Sequence, residues 1–189
     1  MKKFFQLIFI LSTVNNLHAE DIRSFKIDGI SIGDSLFDHF SVSEIRNSPN
    51  YDHLPSDMSY RISDFGSDSK MSERYDGYQF YYEPGDRNHI IYGMRGIKIC
   101  NDTLSCSAEY EEIKSNLVSL YGENNGYENT FTHPDDPNSL GKIISFDFAE
   151  GSINASFIKW SSGSTYKDNI SIDIYSAEVS YWIENGYTF

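Results

Sequence analysis

Between Ile144 and Phe157 the chain alternates apolar and polar residues on both sides of a turn. Ile144, Phe146 and Phe148 are separated by Ser145 and Asp147; Ala149, Glu150 and Gly151 follow; Ile153, Ala155 and Phe157 are then separated by Asn154 and Ser156. Successive side chains of a strand point to opposite faces, so this pattern specifies an antiparallel hairpin with one apolar face. An isolated hairpin is marginal in water. The rest of the chain must therefore supply further strands and an apolar cover.

The remaining pattern supplies both. Tyr60 to Phe65 is a short strand candidate. Gly77 to Glu83 carries Tyr78, Phe80 and Tyr82 in phase, and His89 to Cys100 carries Ile90, Tyr92 and Met94. The apolar phase of that strand then moves to Ile97 and Ile99, and the slip beside Gly96 predicts a β-bulge. Ile170, Ile172 and Ile174 mark a last strand. Helix signals precede each set of strands. The first spans Gly33 to Glu44, with Asp34 or Ser35 as cap and Ser41 and Glu44 as a capping box. The second starts at Ser107, carries Tyr110, Ile113, Leu117, Leu120 and Tyr121 on one stripe, and stops at Gly122. Glu123 to Leu140, with Pro134 and Pro137, reads as loop. A short C-terminal helix from Ser176 turns Val179, Trp182 and Ile183 inward and ends at Gly186. The expected fold is α+β: an antiparallel twisted sheet of about six strands in two helix-plus-three-strand units, roughly 25–100 and 106–175, with the helices on one face.

The N-terminus predicts export. Lys2 and Lys3 precede an apolar run from Phe4 to Val14, and Asn15 to Ala19 is a polar stretch ending in a small residue ahead of Glu20. That order is a signal peptide over residues 1–19, cleaved between Ala19 and Glu20, which leaves residues 20–189 as a single periplasmic or secreted domain. The run is about half the ~20 residues of a membrane-spanning helix, no second run follows, and no cysteine offers a lipid anchor. In an exported chain the pair Cys100 and Cys106 reads as a disulfide. The net charge of −13 works against nucleic acid and anionic lipid as partners, and the 14 Tyr and 13 Phe mark a folding sequence, not an acidic tail.

The stretch Phe25 to Phe40, the later Cys106, Ile113, Leu117 and Tyr121-Gly122, and the hairpin from Phe146 resemble a family of small exported bacterial proteins of unknown function. The layout also resembles the tandem helix-plus-sheet arrangement of β-lactamase-inhibitor proteins and of the BamE outer-membrane assembly lipoproteins. Ile27, Gly29, Ile30 and Ser31 loosely fit the entry motif of those families, and the lipobox of the BamE group is missing. The resemblance implies a protein-binding or structural module.

Three constellations could carry chemistry. Gly33-Asp34-Ser35-Leu36 spells the nucleophile block of the GDSL esterases, and a small ester hydrolase using Ser35 is one alternative. Such chemistry needs a histidine beside the serine. The one Asp-x-x-His, Asp86 to His89, lies mid-chain, and Gly122 to Asn125 matches the remaining block poorly, so the reading preferred for Ser35 is a helix cap. Acidic loops at Asp64, Asp68, Glu73 and Asp76, or at Asp135, Asp136 and Asn138, admit a Ca²⁺-dependent carbohydrate or peptidoglycan binder, although neither has an EF-hand register. His39, His53, His89 and His133 show no metal-ligand spacing, and neither metal nor cofactor is expected. Tyr81 and Tyr175, on strand faces opposite the apolar sets, and Trp160 at a strand end form a candidate binding patch on an open sheet face. The function that fits best is a non-catalytic interaction module whose partner is another envelope or secreted protein. No feature of the sequence sets an oligomeric state.

Overall fold

The computed structural model describes residues 21–49, 59–66, 74–133 and 136–186. The signal segment with its Ala19–Glu20 junction, and Asp68, Glu73 and Asp135 of the acidic loops, lie outside the described residues. The architecture is α+β, with a seven-stranded antiparallel sheet. The strands are β1 (Arg61–Gly66), β2 (Gly77–Tyr82), β3 (Gly93–Ile99), β4 (Gly126–His133), β5 (Asp136–Phe148), β6 (Gly151–Lys159) and β7 (Asn169–Ser176). The helices are α1 (Val42–Asn47), α2 (Thr103–Tyr121) and α3 (Ala177–Gly186), with short 3-10 turns at Ile22–Ser24, Leu36–Asp38 and Glu123–Asn125.

Strand order is β1-β2-β3-β7-β6-β5-β4. The first three strands form one meander and the last four another. They join where β3 pairs with β7, Met94 opposite Ile174 and Gly96 opposite Ile172. The hairpin read from the sequence is the β5–β6 pair, with Phe146 opposite Ile153 and Ile144 opposite Ala155. The expected six strands become seven because the segment read as loop forms β4. That strand lies at the sheet edge and is mostly exposed, so it lacks the half-buried alternation by which strands are recognised.

The larger core lies on one face. Phe80, Met94, Phe146, Ile153, Ala155 and Ile174 are all at most 1 % exposed there. The face is covered by Ile22, Ile27, Ile30 and Leu36 of the N-terminal segment and by Phe40 and Ile45; Cys106, Tyr110 and Leu117 of α2 complete the cluster. Asp102 caps α2, accepting the Ser105 N–H at 2.8 Å, so the helix begins before the expected Ser107 start. Leu120, expected on the buried stripe, is exposed. Gly122 ends the helix at φ 89°, donating to the Val118 carbonyl. Cys100 and Cys106 are disulfide-bonded across the start of α2, with Cα atoms 5.6 Å apart.

Two further expectations are corrected. No bulge interrupts β3, whose register against β2 and β7 runs unbroken through Gly96. The shift of apolar phase arises because Met94 and Gly96 face the main core while Ile97 and Ile99 point to the other face. Gly96 is small where the chain needs it, since a Cβ there would lie 3.0 Å from Ile27 and from the Tyr75 ring. The helices also do not share one face. Val179 of α3 packs with Tyr60, Ile62, Tyr81 and Tyr175 in a second cluster, formed by the residues that alternate with those of the first. Thus α3 covers the sheet face opposite α2.

Candidate functional site

The expected patch does not form an open surface. Tyr81 and Tyr175 meet edge to face at 5.2 Å, but they are 0 % and 6 % exposed beneath α3. Trp160 is remote from them, at the other end of β6, with its ring tilted against His133 at 4.4 Å and Tyr166 at 4.7 Å. It lines a cavity of about 490 Å³ shared with Cys100, Asp102 and Asp168. Asp168 ties that end together, accepting the Trp160 backbone N–H at 2.8 Å and the Thr103 hydroxyl at 2.5 Å.

Ser35 is a cap. Its Oγ accepts the Phe37 N–H at 3.2 Å and donates to the Asn88 carbonyl at 2.5 Å, while Asp38 accepts the Ser35 N–H at 3.3 Å. Asp34 accepts the Ser31 N–H at 3.0 Å and lies 3.3 Å from His39 Nε2. The chain does bring His89 into the neighbourhood, which the sequence did not suggest. Its carbonyl accepts the Leu36 N–H, and its ring packs against Phe37 at 5.0 Å and Tyr82 at 5.1 Å. No hydrogen bond joins Ser35 to a histidine among the described residues. Ser35→Ala is expected to cost about 1 kcal/mol through loss of the cap, read as a lower denaturation midpoint with unchanged slope; an unchanged midpoint would remove the capping role.

Among the acidic-loop residues, Asp76 accepts the Ile99 N–H and Asp136 accepts the hydroxyls of Ser139 and Ser161 at 2.6 Å each. No group of three or more His, Cys, Asp or Glu side chains is arranged to hold a metal ion among the described residues. No helix among them is long and apolar enough to cross a membrane.

The concavity with the most chemical character was missed by the sequence. It lies where α3 meets β1 and β2. The Ser176 side chain accepts the Val179 N–H at 3.3 Å, and the Ser176 and Ala177 N–H groups donate to the Tyr92 and Glu150 carbonyls. Val179 then seats on Gly93, where a Cβ would lie 2.8 Å from the Tyr175 ring and 3.3 Å from Val179. One turn later Trp182 meets Tyr60 edge to face at 5.5 Å, and Tyr60 lies 5.5 Å from Tyr92. Beside these rings is a cavity of about 710 Å³, lined by Tyr60, Glu83, Glu178, Tyr181, Trp182 and Asn185 among others. A second cavity of about 590 Å³ shares Ala177 and Glu178 with it and continues over Tyr92 toward Asp34 and Glu150. Burial, then Glu178 and Glu83, push the Tyr60 phenol up to about 12. The Tyr92 phenol is raised by burial and then by Glu83, Asp86 and Glu178. Both phenols stay neutral at working pH, and Tyr60 is itself a buried member of the second cluster. The sequence placed Trp182 inward; nothing in it pairs α3 with Tyr60, which is far away along the chain.

No family model, curated protein or solved structure matches the chain.

Proposed function

We propose that this chain is an exported, periplasmic or secreted, protein-interaction module that engages another envelope or secreted protein through the groove between α3 and the β1–β2 edge. The observation that carries the reading is the concavity itself: aromatic side chains line it, a rim of polar groups surrounds it, and its size suits specific recognition. Aromatic anchors in a partly desolvated hollow are where interfaces concentrate their binding energy. The hydroxyl of Ser35 is engaged as a cap, which favours binding over hydrolysis.

A photo-crosslinking residue at Tyr181, exposed on the groove rim, tests the reading. In envelope extract it should give a discrete adduct that the same probe at Leu120, exposed on α2, does not give. No adduct, or the same adducts from both positions, would remove the interaction reading for this face.

A further inference from the structure

The charge of the groove is one-sided. Glu83 and Glu178 line the first cavity; Asp34, Glu150 and Glu178 line the second; Arg23 is the one cation lining either among the described residues. Asp34 has His39 beside it. Glu83, Glu150 and Glu178 have no ion-pair partner among the described residues. Tyr60 and Trp182 lie in the same hollow as Glu83 and Glu178. A cation gains there twice: from the Trp182 and Tyr181 rings that line the hollow and from the exposed carboxylates of Glu83 and Glu178 beside them. An acidic or neutral segment gains neither.

Building on the interaction reading above, we infer that the occupant is an extended basic stretch of the partner protein. One Lys or Arg head group sits against Trp182 and Tyr181 between Glu83 and Glu178, and a second basic side chain reaches across Ala177 toward Asp34 and Glu150. Two cavities in series select a chain over a single small cation. A quaternary ammonium fills one of them, whereas an extended peptide rising about 3.3 Å per residue sends side chains into both. The order of charges also sets a direction of selectivity. Replacing lysine by glutamine in the occupant removes both gains while leaving the length and apolar stem in place.

The test uses protein purified after export and a fluorescent peptide of alternating lysine and alanine, with a glutamine-for-lysine peptide and spermidine as comparisons. The lysine peptide should bind, the glutamine peptide should not, and added salt should weaken binding. The Glu83→Gln/Glu178→Gln double variant should bind about tenfold more weakly, while a Glu112→Gln/Glu123→Gln double variant, with the same change in net charge, should bind as the parent does. Melting curves of both variants establish that they fold. Equal loss in both variants, or none in either, reduces the effect to general charge attraction and overturns the groove assignment. Spermidine binding as tightly as the peptide overturns the choice of a polypeptide occupant. If the Tyr181 probe captures a partner but the lysine peptide does not bind, the interaction reading stands and the basic occupant fails. If neither occurs, both fail.

Discussion

Replacing Arg95 by Met is expected to destabilise the protein by about 3–5 kcal/mol, the cost of leaving a buried charge without its partner. Arg95 and Asp173 face each other across the central β3–β7 pair. Arg95 Nε donates to Asp173 Oδ1 at 2.6 Å, and Nη2 donates to Oδ2 at 3.3 Å and to the Tyr175 hydroxyl at 3.0 Å. Burial works against the Arg95 charge, yet Asp173, followed by Tyr175 and Tyr81, more than offsets it, and the guanidinium is held well above its usual pKa. The two partners are not equivalent. The Asp173 side chain is 3 % exposed and the Arg95 side chain 28 %. Removing Asp173 leaves a guanidinium that still reaches water, so Asp173→Leu should cost less than Arg95→Met, which strands a buried carboxylate. The double variant Arg95→Met/Asp173→Leu should recover most of the loss, because an apolar pair of similar volume carries no desolvation penalty. Chemical denaturation of the three variants gives the cycle. Additive losses would show that the pair is not coupled.

The network also shows where the sequence was legible and where it was not. Alternation correctly put Tyr81 and Tyr175 on the face opposite Phe80 and Ile174, because the period of two is a local property of a strand. It could not show that α3 returns to cover that face. Nothing local singles out Arg95 or Asp173; their pairing follows from the β3–β7 register, which joins residues far apart in sequence. Local chemistry fared better. The Ser35 and Ser41 caps, the Gly122 stop and the Cys100–Cys106 bridge each depend on residues within a few positions of one another. The groove is the opposite case. Tyr60 precedes β1, Glu83 follows β2 and Trp182 lies on α3, and only the sheet order brings them together.

Phe146→Ala is expected to cost about 3–5 kcal/mol and to lower the melting temperature by about 10 °C. Phe146 is 1 % exposed, opposite Ile153 in the β5–β6 hairpin, and its ring meets Tyr121 of α2 at 5.4 Å. Gly126 on β4 is its floor, since a Cβ there would lie 2.9 Å from the ring. The ring therefore joins β4, β5, β6 and the end of α2, and truncation leaves a cavity that these paired strands close poorly. Leu120→Ala is the matched control. The helical stripe groups Leu120 with Tyr121, yet Leu120 is 59 % exposed, and alanine is the better helix former. Its replacement should change stability by no more than about 0.5 kcal/mol. Comparable losses from the two substitutions would mean that α2 is rotated about its axis relative to the packing described, with the Leu120 side of the helix facing the sheet.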